Sequence, residues 1–410
     1  MGPLRRRLAH PLVALLGPDL LGARQGFVAL LVSSGGDLLA GVTLGSIQHT
    51  LAKLPGLLVL IPAAIGMRGN IFGALGSRLG TAIHTGTFTL TRRRNTVVGQ
   101  NVLSSLTLTF VVSLALAVLA KSVTVAFNIP SITVLDLVVI SMLGGVISSI
   151  VVLAITVAVA AGSVRYGWDM DNVAAPLVTA AGDMVTLPSL YAATFFVGVR
   201  VLTPILGFLT AGLTLVAIAG VIRSGLPLLR RIVIESLPIL LIAGTIDIIA
   251  GITIEKRLDA FVSLPALLVL VPPFLEDTGA LGGILAARLS SKLHLGLIDP
   301  TPRPQRAAWQ DFRLVVVFAV PVFTLVALSS DLVSVVLGLP SPGPVRMIGV
   351  SLLGGMLATG ACLIITYYGA IAAYRLGLDP DNHGIPMVTS SMDLIGALAL
   401  VFAILILRVG

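Results

Sequence analysis

Apolar runs of twenty or more residues, separated by short stretches rich in glycine, proline and charge, recur from one end of this chain to the other. A bilayer's hydrocarbon core takes about 20 helical residues to cross. On that measure the pattern predicts spans near 27–48, 54–80, 97–120, 131–162 and 173–199, and again near 237–258, 264–290, 314–337, 345–372 and 383–408. Between the two sets, Val201 to Ile222 forms one more apolar stretch. The runs are continuous rather than alternating, so they predict helices and not a membrane barrel.

The two sets are copies of one pattern. A gapless shift of 210 residues brings Asp37 onto Asp247 and Leu57–Pro62 onto Leu267–Pro272. It also brings Gly144-Gly145 onto Gly354-Gly355 and Asp183 onto Asp393. The expected architecture is an all-α polytopic membrane protein with two parallel five-helix repeats related by a pseudo-twofold axis. One linking transmembrane helix joins them, giving about 11 spans. The expected units are 1–200, with an N-terminal interfacial helix, then the linking helix 201–224, then 225–410.

Composition narrows the class. Hydrophobic residues make up 56% and charged residues 11% of the 410 residues, against about 25% charged in soluble domains. The net charge of +8 points to nucleic acid only until the basic residues are placed. With eleven spans and a cytoplasmic N-terminus, 18 of the 26 lysines and arginines fall inside and seven outside, with Arg68 within the membrane. That is the positive-inside bias. A ten-span inverted arrangement puts the basic cluster from Arg288 to Arg313 outside. The expectation is therefore a multi-pass cell-membrane protein with its N-terminus cytoplasmic and its C-terminus outside, whose partner is the bilayer and not nucleic acid. Arg5-Arg6-Arg7 imitates a signal peptide, but Pro11, Gly17, Pro18 and Asp19 break the apolar stretch that follows. The single cysteine, Cys362, excludes an internal disulfide and a thiolate metal cluster.

The candidate chemistry lies in acids placed deep in apolar runs. Asp183 and Asp393 sit about ten residues into their spans, near mid-membrane. A central carboxylate costs about 2.5–3.5 kcal/mol on insertion scales. Pro176, Thr179 and Asp183 share one helical face, as do Pro386, Thr389 and Asp393. The prolines leave the carbonyls of Asn172 and Asn382 without their helical donor. Hydroxyl, carbonyl and carboxylate oxygens together suit a hard divalent cation such as Mg²⁺ or Ca²⁺. Asp169, Asp171, Asp379 and Asp381 either cap the following helix or form an acidic vestibule. Asp37 and Asp247 form a second intramembrane pair, each followed by an Ala-Gly step, Ala40-Gly41 and Ala250-Gly251, that allows close helix contact. The copies diverge at Arg68 in the first and Glu276-Asp277 in the second. These either form an ion pair across the repeats, or the two acids bind cation directly. His84 and His294 read as interfacial anchors or ligands. No HExxH, hydrolase GxSxG or P-loop motif is present, so an enzyme is not expected.

The stretch LLVLIPAAIGMRGNIFGALGSRLGTAIHTG (Leu57 to Gly86) resembles the second span of the MgtE and solute carrier family 41 transporters, with its P-x-x-x-G-x-x-GN core. DNVAAPLVTAAGDMVTLP (Asp171 to Pro188) is similar to that family's last span. Two such units in one chain resemble the solute carrier 41 arrangement, a single-chain pseudo-dimer. The resemblance implies transport of Mg²⁺ or of divalent cations more broadly, through a pore lined by the second and fifth spans. The family's central pore aspartate maps onto Asp183 and Asp393, its position four residues earlier onto Thr179 and Thr389, and its motif asparagine onto Asn70. The second copy departs, with Ala280 in place of the asparagine. The cytoplasmic sensing domains of bacterial relatives are not expected here, so feedback of their kind would need a cytoplasmic regulatory partner. A proton- or sodium-coupled carrier of a small organic solute is the alternative, and 5% aromatic content gives it little to grip a substrate with.

Overall fold

The structure, a computed structural model, describes residues 20–91, 93–166, 170–377 and 385–409. The interfacial helix expected before residue 20 lies outside the described residues. All regular structure described is helical. In the first repeat the helices are α1 (Leu20–Ser46), α2 (Gln48–Lys53), α3 (Leu57–His84), α4 (Val97–Ala126), α5 (Val134–Tyr166) and α6 (Met170–Thr194). The linking helix is α7 (Leu202–Arg223). The second repeat has α8 (Pro227–Glu255), α9 (Leu258–Ser263), α10 (Pro265–His294), α11 (Arg306–Val336), α12 (Pro344–Leu376) and α13 (Ile385–Ile406). Nine of these are long and apolar enough to cross a membrane by length and composition. The apolar part of α1 is shorter among the described residues, Leu30–Ser46.

Local chemistry sets many of the boundaries. Pro227, Pro265 and Pro344 stand in the first turns of α8, α10 and α12, where the missing N–H costs nothing and φ is already helical. The Thr96 hydroxyl accepts from the N–H of Gly99 and caps α4. Gly377 ends α12 at φ +64, a conformation glycine reaches without a Cβ penalty. Two elements escaped the hydropathy pattern. The six-residue helices α2 and α9 lie in register with each other across the repeat and are too short to register as apolar runs. Helix α8 also starts ten residues before its predicted span, because a helix need not end where charges such as Arg230, Arg231 and Glu235 begin.

The repeats interlock. Helix α1 packs on α10, and α8 packs on α3, so each first helix lies against the second long helix of the other repeat. A Cβ added at Gly41 would lie 2.1 Å from the carbonyl oxygen of Val269, and one added at Gly251 would lie 2.4 Å from that of Val59. These two contacts are the same contact under the 210-residue shift, as a twofold operation requires. Glu255, at the end of α8, accepts from the N–H of Gly56 at 2.9 Å and so satisfies the start of α3 from across the repeat.

The orientation of the repeats follows from one side chain. The Gln100 Oε1, at the start of α4, accepts from the N–H groups of Leu228 and Leu229 at the start of α8, both at 3.1 Å. The beginnings of α4 and α8 therefore share one face of the bundle. Counting crossings, α1 begins on that face too, so the repeats run parallel and α7 supplies the odd crossing. On the same face Arg78 donates to Asn101 in one repeat, while Arg288 and Lys292 both grip the buried Asp311 in the other. Helices α3 and α10 are the most enclosed of the spans and α7 the least.

Candidate functional site

Six acids come together between the repeats. Asp37 of α1 and Asp183 of α6 are buried, and their carboxyl groups stand close enough to act on each other. The counterparts 210 residues on, Asp247 of α8 and Asp393 of α13, meet in the same way. Two ionised carboxylates so placed repel each other unless a proton or a cation offsets the charge. The second pair lies against α3 of the first repeat. A Cβ at Gly66 would stand 3.0 Å from Asp247 Oδ2 and 3.7 Å from Asp393 Oδ2.

Helix α10 adds two acids that α3 lacks. Glu276 stands within electrostatic reach of acids of both pairs. Asp277 accepts from the Ser34 hydroxyl at 2.8 and 3.0 Å and also acts on Asp37. The positions matching Glu276 and Asp277 in the first repeat are Gly66 and Met67. Repeat one therefore supplies two acids to the cluster and repeat two supplies four.

Among the described residues, no basic side chain pairs with this cluster. Both oxygens of Asp37, both of Asp247 and one of Asp183 are buried without a hydrogen-bond donor. Buried polar atoms are normally satisfied, and buried charges are paired or bound to metal. The oxygens on offer are all hard, which fits a divalent cation of the Mg²⁺ or Ca²⁺ type. No three acids or histidines among the described residues converge tightly enough to hold a bare ion. Mg²⁺ sheds water reluctantly and is commonly held by one or two carboxylates through a retained hydration shell. Two separated pairs with a further carboxylate in reach of both match that demand better than a compact cage.

The remaining predicted positions fall near this centre or outside the described residues. Thr179 and Thr389 face glycines at matched positions. Added Cβ atoms at Gly69 and Gly279 would each lie 3.8 Å from them. Asn70 is half-buried on α3, one turn beyond Gly66, with Ala280 at its counterpart on α10. Asp169, Asp379, Asp381 and Asn382, and the side chains of Asp171, Asn172 and Pro176, lie outside the described residues. His294 bonds the Ser290 carbonyl of its own helix at 2.9 Å and packs edge-on to Tyr374. Two hydroxyls were not singled out by the sequence. Ser34 serves Asp277, and Ser390 stands beside Asp247. Both sit three residues before a cluster aspartate, a spacing that puts them on the same helical face.

The cross-repeat ion pair expected of Arg68 is absent. The fully buried guanidinium donates to Ser148 at 3.2 Å and Ser113 at 2.9 Å, within its own repeat, and Nη1 has no partner. Glycine makes the room, since a Cβ at Gly145 would stand 2.3 Å from Arg68 Nη2. In the second repeat Phe323 replaces Ser113 and fills the matching space against Gly355. Arg68→Ala is therefore expected to destabilise the protein by leaving a large void and two stranded hydroxyls. Arg68→Met, which refills the void without charge, should cost less. Neutralising Glu276 and Asp277 should not rescue either variant. Melting temperatures of the single and combined variants in detergent test this, and rescue would restore the ion pair.

Similarity to known proteins covers both repeats. The chain matches the sequence profile of the MgtE family, described as "Divalent cation transporter", twice, at 61–193 and 271–403. The two matches are themselves 210 residues apart. The chain is 26% identical to solute carrier family 41 member 3 of Rattus norvegicus, over 92% of this chain and 85% of that protein. It is 28% identical to solute carrier family 41 member 2 of Xenopus laevis, over 93% and 72%. Against the Homo sapiens member 2 it is 29% identical, over 91% and 68%. No solved structure matches.

Proposed function

Because this chain belongs to the MgtE family of divalent cation transporters, we propose that it moves Mg²⁺ in preference to other ions, along a path between its repeats lined by paired aspartates. The supporting observation is the symmetric placement of Asp37–Asp183 and Asp247–Asp393, buried, without basic partners and with oxygens left bare. A cation supplies the missing charge to both pairs. Asp183 and Asp393 hold the ion through its water shell, Glu276 bridges the pairs, and Thr179, Thr389 and Asn70 offer neutral oxygens beside them. The chain acts as a single-chain pseudo-dimer, with units at 1–200, 201–224 and 225–410. A regulatory partner on the cytoplasmic side belongs to the same reading.

Flux into proteoliposomes carrying the purified chain tests the reading. Mg²⁺ uptake should exceed Ca²⁺ uptake, and imposed voltage, Na⁺ and pH gradients should reveal the driving force. Uptake of Ca²⁺ or Mn²⁺ with Mg²⁺ excluded would keep the path and remove the preference. Absence of any divalent flux would remove both.

The orientation follows from the basic loops. In the proposed topology α1 and α6, and with them α8 and α13, run outward from the cytoplasm. Cysteines placed at Thr91 and at Arg303, in a Cys362→Ala background, should both resist a membrane-impermeant thiol reagent in intact cells and react in inside-out vesicles. Opposite labelling of the two sites would overturn the eleven-span arrangement.

A further inference from the structure

A groove that no part of the transport path uses lies where α4, α7 and the start of α8 meet. It encloses about 750 Å³. Its lining includes Arg93, Arg94 and Arg223, and none of the three forms an ion pair with a described residue. Its walls are apolar and include Leu106 and Phe110 of α4 and Gly220 of α7. From Val97 to Phe110 the helix descends about 20 Å at 1.5 Å per residue, more than half of a hydrocarbon core about 30 Å thick. The groove thus begins at headgroup level and runs down one leaflet.

The second repeat does not carry the same basic residues. The counterparts of Arg93 and Arg94 are Arg303 and Pro304, and α7 has no second copy. A small anion alone would satisfy the arginines and leave the apolar walls bare. A neutral lipid would fill the walls and leave three cations facing one another. We propose that the groove binds one anionic glycerophospholipid, its phosphate among Arg93, Arg94 and Arg223 and an acyl chain along Leu106, Phe110 and Gly220. Arginine matches phosphate by paired hydrogen bonds, and basic residues at a membrane surface attract anionic lipid. The lipid would wedge the linking helix to α4, and so bears on how the two repeats are joined.

The test uses the full chain, delipidated in a neutral detergent, with three probes: phosphatidylglycerol, phosphatidylcholine and glycerol phosphate. Native mass spectrometry should find one phosphatidylglycerol retained per chain, and that lipid alone should raise the melting temperature. Arg94→Gln with Arg223→Gln should weaken its binding more than tenfold. Gly220→Trp should block it with all three arginines in place, because space is open at that glycine. Arg230→Gln, on the exposed side of α8, should change nothing. Equal stabilisation by phosphatidylcholine would mean ordinary lipid contact, and equal stabilisation by glycerol phosphate a free-anion site. Binding that survives Gly220→Trp would put the lipid elsewhere. Should the variants fail to fold, the three probes on the unmodified chain decide the matter.

Discussion

Replacing Asp183 and Asp393 together by asparagine is expected to abolish divalent uptake while leaving the helix bundle intact. The amide keeps the size of each side chain and removes a charge the fold does not neutralise. Each single variant should weaken apparent Mg²⁺ affinity by at least about tenfold, a loss of roughly 1.4 kcal/mol or more. The pairing adds a sharper expectation. Asp37 meets Asp183, so Asp37→Asn placed on Asp183→Asn should cost much less than the sum of the two separate losses, as for groups acting as a unit. Asp37→Asn placed on Asp393→Asn should cost nearly the full sum. Uptake and melting temperature measured side by side separate lost binding from lost folding. Normal Mg²⁺ uptake by the Asp183→Asn, Asp393→Asn variant would move the site away from this centre.

Gly41→Ala is expected to damage the protein although it adds one methyl group. That methyl would be built 2.1 Å from the carbonyl oxygen of Val269, and the obstacle is backbone, which cannot swing aside. Overpacking of this kind costs about 1–3 kcal/mol where neighbours can yield, and more where they cannot. Gly251→Ala should behave alike, because its methyl would fall 2.4 Å from the carbonyl of Val59. Gly35→Ala, one helical face away on α1, meets nothing within 4 Å. It should be neutral or gain up to about 1 kcal/mol from better helix propensity. Thermal denaturation in detergent reads all three. A Gly41→Ala protein as stable as Gly35→Ala would show that α1 and α10 are not in backbone contact.

Much of this arrangement could be read in the chain because the repeat carries positions and not only composition. The 210-residue shift pairs Asp37 with Asp247 and Asp183 with Asp393, and the structure makes one physical site from those two matched sets. The Ala-Gly steps after Asp37 and Asp247 signalled close helix contact, and Gly41 and Gly251 make it. What the sequence could not convey was which helix each residue meets. Nothing local to Asp37 says that its neighbour is Asp183, some 146 positions away. Arg68 misled for the same reason. Its true partners, Ser113 and Ser148, are residues common in any membrane helix, whereas the acids at 276 and 277 stood out by charge. Short helices such as α2 and α9 were invisible because hydropathy reports membrane crossing and not helicity.

The interlocking of the repeats has a consequence for biogenesis. A ribosome delivers α1 and α3 long before α8 and α10 exist. Until residue 251 has entered the bilayer, the backbone of α3 at Val59 lacks its glycine neighbour. Until residue 269 follows, the glycine face of α1 lacks its partner, and Asp37 lacks the second-repeat acids Glu276 and Asp277 that stand near it. The first half of the chain is thus an unfinished half-molecule with an acid deep in the bilayer. The interface between the repeats can close only when the newest helices reach the oldest.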